Sequence, residues 1–263
     1  LATAHGWTGQ SPREKYLYYP MDKWILSRLP RVVAVSSDIR KQILGYGARP
    51  DRVTVILNSI EPDAFKRLPE RQEPVRAALG IARDEVVIGT VGRVEQQKRF
   101  DLLLDAMVPI FARHPRARLV IVGAGSLLGT AKAQAEMLGI AERCIFTGHR
   151  SDIADLHHAF DLFVQSSEYE GTPNAVIEAM AMETPLVATD VGGTGELAFD
   201  NVHGLLVAGR DARSLTAAID RALNDPDGCR TRARAARQRI ESDLSFATRT
   251  RRLEDIYTEM VRA

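Results

Sequence analysis

The sequence predicts an α/β protein built on a doubly wound parallel sheet, with a shorter α/β stretch ahead of it. Three observations support this. From residue 86 onward, short apolar runs alternate with segments of helical periodicity. Several of those runs end in glycine, as in Gly89-Thr-Val-Gly92 and Val120-Ile-Val-Gly123, where a parallel strand would enter a loop. Residues 62–84, with three prolines and several acidic side chains around one short helix, separate this series from earlier apolar runs.

The opening residues, Leu1 to Gly6, read as the end of a strand running into a loop. Val32-Val-Ala-Val-Ser36 is a buried strand, and Ser36 or Ser37 can cap a helix over 38–44. The stretch 45–51 returns the chain to a strand at 53–57, which ends in Asn58-Ser-Ile-Glu61. Strands are then predicted at 86–91, 118–122, 144–147, 161–165, 185–189 and 204–207. Helices are predicted between them at 99–113, 127–139, 152–159, 173–183 and 194–199. Three more helices follow at 211–224, 227–242 and 246–262.

Composition narrows the function. The 263 residues suffice for one large domain or two modest ones. Lys and Arg (35) balance Asp and Glu (34), so nothing in the net charge calls for nucleic acid. Two cysteines make neither a disulfide framework nor a metal cluster, and a reducing cytoplasm is the expected compartment. No apolar run approaches the length of a membrane span, and no signal peptide is evident. The first residue is Leu, which suggests a piece of a longer protein. No Asp-x-Asp or His/Cys ligand spacing appears, so no metal and no cofactor are expected.

The stretch Glu170-Gly-Thr-Pro-Asn-Ala-Val-Ile-Glu178 carries most of the chemistry. It lies where the run Asp161-Leu-Phe-Val-Gln165 becomes a helix. Thr172 offers a capping hydroxyl and Pro173 suits the first helical position. Glu170 is then at the helix mouth, with Glu178 about 8 Å along the axis from Pro173. The unpaired amides of Gly171, Thr172, Asn174 and Ala175 between them favour an anion. The loop carboxylate can take sugar hydroxyls, the helix mouth a diphosphate, and the helical carboxylate a ribose diol.

Glu, seven residues, Glu, then Ala-Met-Ala, a Pro-Leu-Val-Ala strand and a Gly-Gly turn resembles the donor-site signature of family 4 glycosyltransferases, retaining enzymes of the GT-B fold. In that fold two Rossmann-like domains face each other across a cleft. The resemblance implies that residues 1–65 are the truncated remnant of an N-terminal acceptor domain and 66–77 a linker. Residues 78–245 would be the C-terminal donor-binding domain, and 246–263 a helix returning to the first domain.

The resemblance also assigns roles. Gly92-Arg93, four residues, then Lys98 matches the family's diphosphate clamp, although Arg99 stands where glycine is usual. Gly123 and Gly125 fall where the family lines its phosphate pocket; a nicotinamide-type Gly-x-Gly is the other reading, with Gly129 one position late. Gly148, His149 and Arg150 fall where the family approaches the base, unless His149 is an ordinary loop histidine. Gly193 belongs to a turn that lets backbone approach phosphates closely, and Glu196 supports that loop. Thr3 and His5 stand as in the family's Thr-x-His-Gly turn beside the transferred sugar, or His5 is simply a histidine at a cut end. Asn58 belongs to a structural hinge turn.

The implied reaction moves a sugar from a UDP or GDP donor to a hydroxyl on a glycan or lipid-linked glycan, with retained configuration and without metal. The implied setting is polysaccharide or glycolipid synthesis, in the cytoplasm or peripherally at the inner membrane face. The rivals are a sugar-nucleotide epimerase on the same fold and a donor-binding fragment with no activity of its own. The Arg-rich stretch 230–239 is either a solvated helix face or a lipid contact. Tyr16, Leu17, Tyr18 and Trp24 among Lys15, Lys23 and Arg28 lie either under the missing domain or near a membrane.

Overall fold

The computed structural model describes residues 1–7, 11–208 and 211–262; Ala263, the last residue of the expected returning segment, lies outside them. The chain opens with strand β1 (Ala2–Ala4), a π-helical turn (Glu14–Tyr18) and helix α1 (Tyr19–Arg28). The sequence pattern did not predict this helical segment; its apolar residues are spread around the axis, and only Leu26 and Ser27 are buried. Then come β2 (Val32–Ala34), α2 (Ser37–Gly45) and β3 (Val53–Val55). These three strands form one parallel sheet in the order β1-β2-β3. Val32, Val33 and Ala34 are all buried, so the middle strand is covered on both faces.

The stretch expected as linker carries helix α3 (Pro69–Ala78), and it is anchored rather than free. The guanidinium of Arg67 donates to the carbonyls of His157, His158 and Phe160, while that of Arg76 donates to the Ala159 carbonyl and to Asp161. These arginines satisfy carbonyls that would otherwise be left unpaired where the helix over Ile153–Ala159 ends.

The second sheet follows as β4 (Val86–Val91), α4 (Phe100–Arg113), β5 (Ala117–Val122), α5 (Leu128–Met137), β6 (Cys144–Gly148), α6 (Ile153–Ala159), β7 (Leu162–Gln165), α7 (Asn174–Ala181), β8 (Leu186–Thr189), α8 (Thr194–Leu197) and β9 (Leu205–Val207). Helices α9 (Ala212–Asn224), α10 (Pro226–Asp243) and α11 (Phe246–Arg262) complete the chain. All six strands are parallel, in the order β6-β5-β4-β7-β8-β9. Successive strands run outward from β4 to β6, then restart at β7 on the other side. The topological switch point therefore lies between β4 and β7, at their C-terminal ends.

Alternation along β4 makes the two-sided core. Ile88 belongs to one buried cluster with Leu103, Met107 and Ile110 of α4 and Ile219 of α9. Val87 belongs to the cluster on the other face, with Leu156 of α6, Val176 and Met180 of α7 and Ile240 of α10. Each such fully buried side chain stabilises the fold by about 1.5–3 kcal/mol.

Two chain crossings join the sheets. The Ile60 amide donates to the Leu244 carbonyl, and the Phe246 amide donates back to the Ile60 carbonyl, both at 3.0 Å. Helix α11 then lies on the first sheet, with Ile256 packed against Val33 and Ile56.

The Arg-rich stretch on α10 is divided: Arg230 and Arg234 are exposed, whereas Arg232, Arg237 and Arg239 are turned toward the protein. Arg237 donates to the carbonyls of Pro62, Phe65 and Ala181, and Arg239 donates to that of Glu196 while lying over the Phe199 ring. Arg232 pairs with Asp225. Asp225 is the N-cap of α10 itself, so it is Arg237 and Arg239 that hold the helix onto the rest of the protein.

Candidate active site at the sheet switch point

Two loops meet at the switch point. The loop after β4 carries Gly92, Arg93, Gln97 and Lys98, and the loop after β7 carries Ser166 to Pro173. They are stitched together through the backbone: the Glu168 amide donates to the Gln97 carbonyl, and the Ser166 hydroxyl donates to the Lys98 carbonyl.

Glu170 is the hub. Its Oε1 accepts from Lys98 Nζ at 2.6 Å and from Ser167 Oγ at 2.6 Å, and its Oε2 accepts from Gln97 Nε2 at 3.3 Å. The Glu170 side chain is 7% exposed and that of Lys98 16%. The sequence placed Lys98 on a diphosphate and Glu170 on a sugar as separate groups; the structure makes them one ion pair. Both ammonium and carboxylate therefore keep a fixed aim before any ligand arrives. Ser167 and Gln97 were missed in the sequence because a serine and a glutamine beside a loop carry no distinguishing pattern.

Thr172 and Pro173 are corrected. Helix α7 begins at Asn174, with Pro173 at its N-cap and no side-chain cap. The Thr172 hydroxyl instead donates to the Val35 carbonyl at the end of β2. Asn58 Nδ2 donates to the Thr172 carbonyl at 3.2 Å and to Asn174 Oδ1 at 3.0 Å. The start of α7 is thus held by the first sheet, which local sequence could not indicate. The Val176 and Ile177 amides turn back to the Pro173 carbonyl. The amides of Asn174 and Ala175 remain at the open end of the helix, where its dipole favours an anion.

The glycines permit close approach, and in this structure the approach is between loops. Gly123 has φ 142°, and a side chain there would run into the Gly92 carbonyl; one on Gly125 would strike the backbone of Val94. Gly192 has φ 54°, and a methyl group there would overlap the Glu170 carbonyl. Gly193 meets Gly171 in the same way and donates its amide to the Gly171 carbonyl at 2.8 Å.

Glu178 lies on the second turn of α7, half-buried. The Nε2 of His157 on α6 sits 3.8 Å from its Oε2, too far for a hydrogen bond. His157 is fully buried against Phe160 and Phe163, and neither ring nitrogen has a hydrogen-bond partner. Burial pushes its pKa below the ordinary 6.5, with Glu178 opposing in part. Folded chain therefore binds fewer protons than unfolded chain below that pH. The stability held by neutral His157 is full above about pH 6.5 and lost as pH falls toward the folded-state value. The urea midpoint is expected to drop between pH 7.5 and 5.5, and His157→Phe to flatten that drop; an unchanged slope would remove His157 as its source.

The remaining candidates are spread around this hub. Arg93 is exposed, near Glu95, whose carboxylate accepts from the Ser126 amide and hydroxyl. His149 is exposed after Gly148, and Arg150 is held by Asp152 at 2.5 Å, so its guanidinium is already engaged. His5 is exposed, and its backbone carbonyl packs against Gly171 across the cleft. Partial desolvation by the surrounding loops and then Arg249 lower the His5 pKa. Glu196 supports its loop from an unexpected direction: it accepts from the Ser37 amide and hydroxyl, both at 2.7 Å, capping α2 of the first sheet. Burial pushes the Cys144 thiol up to about 12, so it is no thiolate nucleophile. Among the described residues no group of His, Cys, Asp and Glu is placed to hold a metal ion.

A cavity of about 870 Å³ lies at the opposite edge of the second sheet, where β4, β7 and β8 begin. Two smaller ones, about 350 and 530 Å³, open beside Glu170 and Tyr169. Size favours the first. Ligands of open α/β sheets gather at the C-terminal strand ends, and the paired charges are there, so the smaller cavities mark the candidate site.

A donor-type Rossmann-like domain closed against a second parallel sheet, with a returning C-terminal helix, is the architecture of the GT-B glycosyltransferases. The crystal structure of Anabaena HepE in complex with UDP and glucose superposes with a TM-score of 0.88 at 24% identity, covering 97% of this chain and 71% of that one. Residues 71–239 match the model described as Glycosyl transferases group 1, and residues 1–64 match Glycosyltransferase Family 4. The chain belongs to the glycosyl transferases group 1 family. It is 33% identical over 215 residues to the D-inositol 3-phosphate glycosyltransferase of Mycobacterium marinum, covering 79% of this chain and 45% of that protein. It is 27% identical over 247 residues to the lipopolysaccharide core biosynthesis mannosyltransferase LpsB of Rhizobium meliloti, covering 91% and 68%. The chain spans about half the length of the M. marinum relative.

Proposed function

We propose that this chain binds a nucleoside diphosphate sugar and, within its complete protein, transfers the sugar to a hydroxyl acceptor with retention and without a metal ion. The observation that carries this reading is the Lys98–Glu170 pair at the switch point, beside Arg93 and the open end of α7. Lys98 and Arg93 hold the diphosphate, whose charge grows as the glycosidic bond breaks. Glu170 orients the sugar hydroxyls and Glu178 the ribose diol, while backbone near His149 and Arg150 meets the base. His5 reaches toward the transferred sugar from the first sheet. Among the described residues no side chain is set as a nucleophile, and the reading takes a front-face path in which the leaving phosphate helps take the acceptor proton.

UDP is the first donor to test, since HepE was crystallised with it. The name of the R. meliloti relative supports surface glycan or glycolipid synthesis as the setting. No helix among the described residues is long and apolar enough to cross a membrane, and we place the protein in the cytoplasm or peripherally at the inner membrane face. Titration with UDP, GDP and ADP without metal tests the reading. One nucleotide series is expected to bind, and Glu178→Ala to weaken it about tenfold or more by removing the ribose contact. Binding of none, or equal binding by the variant, would overturn it.

A further inference from the structure

We propose that the cleft runs on from Glu170 into a pocket that receives the acceptor, and that this acceptor is a saccharide bearing a negative charge. The proposal rests on the donor reading above. Glu170, Gly171 and Gly192 line the cavity of about 350 Å³ together with Gly6 and Ile39 of the first sheet's loop and helix. Trp7, Gln42, Glu168 and Tyr169 line that cavity and also the neighbouring one of about 530 Å³. The two are therefore one cleft, with the donor-sugar end at Glu170 and a second chamber on the first-sheet side.

The second chamber has the chemistry of a sugar site. Trp7, Tyr19, Tyr46 and Tyr169 supply rings with polar edges, which suit the apolar faces and hydroxyl rim of a pyranose. The Trp7 ring is fixed, since its Nε1 donates to Asp22 at 2.7 Å. The chamber also holds two ammonium groups, Lys15 and Lys23. Lys23 Nζ lies 4.6 Å from the Trp7 ring centroid and 5.9 Å from that of Tyr46. Neither lysine forms an ion pair among the described residues. The one carboxylate on the chamber wall, Glu168, is turned to Arg99 at 3.8 Å. The Asp22 carboxylate, which accepts from Trp7 Nε1, offsets the burial of the Lys23 ammonium only in part, and a phosphate or carboxylate on the bound sugar would give that ammonium a direct ion-pair partner. A neutral sugar would not.

Saturation-transfer NMR on this chain, with and without UDP, tests the proposal with glucose 6-phosphate, glucuronic acid and methyl glucoside. Glucose 6-phosphate, glucuronic acid or both are expected to bind, and methyl glucoside about tenfold more weakly. Preference between the first two names the charged group. The double variant K15Q/K23Q is expected to lose that advantage of about tenfold while binding UDP unchanged, which also reports that it folds. Methyl glucoside binding as tightly as both anionic sugars, or a double variant that keeps the preference, would overturn the anionic assignment. Absence of any sugar binding would overturn the pocket, whatever UDP does. Anionic sugar bound without UDP binding would keep the pocket and remove the donor reading instead.

Discussion

Replacing Lys98 with methionine is expected to destabilise the chain by about 3 kcal/mol and to abolish tight donor binding. The reason is the isolation of the Glu170 side chain, which is 7% exposed and, among the described residues, pairs with a cation only at Lys98. Methionine leaves that carboxylate half-satisfied by Ser167 and Gln97, with its charge unpaired. The lower end of the range for a broken buried pair applies because Lys98 itself is 16% exposed, so water shares the load. The double variant K98M/E170Q should recover more than half of the loss, because no buried charge remains. Its donor affinity should stay low, since both ligand contacts are gone. Urea unfolding of the two single variants and the double variant reads the coupling, and strictly additive losses would show that the pair is not a unit.

Gly192→Ala is expected to lower turnover of the complete enzyme about a hundredfold, through a shift of the loop that carries Glu170. Two effects coincide at this position. Its φ of 54° is one that L side chains adopt at a cost, and an added methyl group would overlap the Glu170 carbonyl. Gly139→Ala separates them. Gly139 has φ 69° with open space around it and follows α5, so its variant carries the left-handed backbone cost of about 1–2 kcal/mol alone. A Gly192 variant that loses stability like the Gly139 variant and keeps its turnover would remove the loop contact from the site.

The second sheet was legible because each strand is a short apolar run set by its own residues. The expected strand at 86–91 is observed as Val86–Val91, and the expected helix at 99–113 as Phe100–Arg113. Helix α1 was not legible, because its exposed Met21, Trp24 and Ile25 blur the apolar stripe that marks a buried face. At the site, Glu170, Lys98 and Gly193 could be picked out, since charged and glycine residues at strand ends are sparse enough to signal. Their partners could not. Ser167 lies three residues from Glu170, but Val35 lies 137 residues from Thr172 and Ser37 lies 159 from Glu196. Such pairings depend on how two sheets meet, and no local pattern encodes that.

By itself, then, the sequence determined the strand and helix periods, the glycine turns and the choice of charged residues at the C-terminal sheet edge. Those follow from side-chain size, polarity and backbone freedom within a few residues. Only the tertiary structure decided that Lys98 and Glu170 are one pair, that Thr172 binds across the cleft, and that Trp7 and Lys23 face the same chamber as Tyr169. Each of those joins segments distant in the chain. Their relative positions are fixed by the packing of whole layers, through helices on both faces and the crossing at Ile60 and Ser245, rather than by neighbours in sequence.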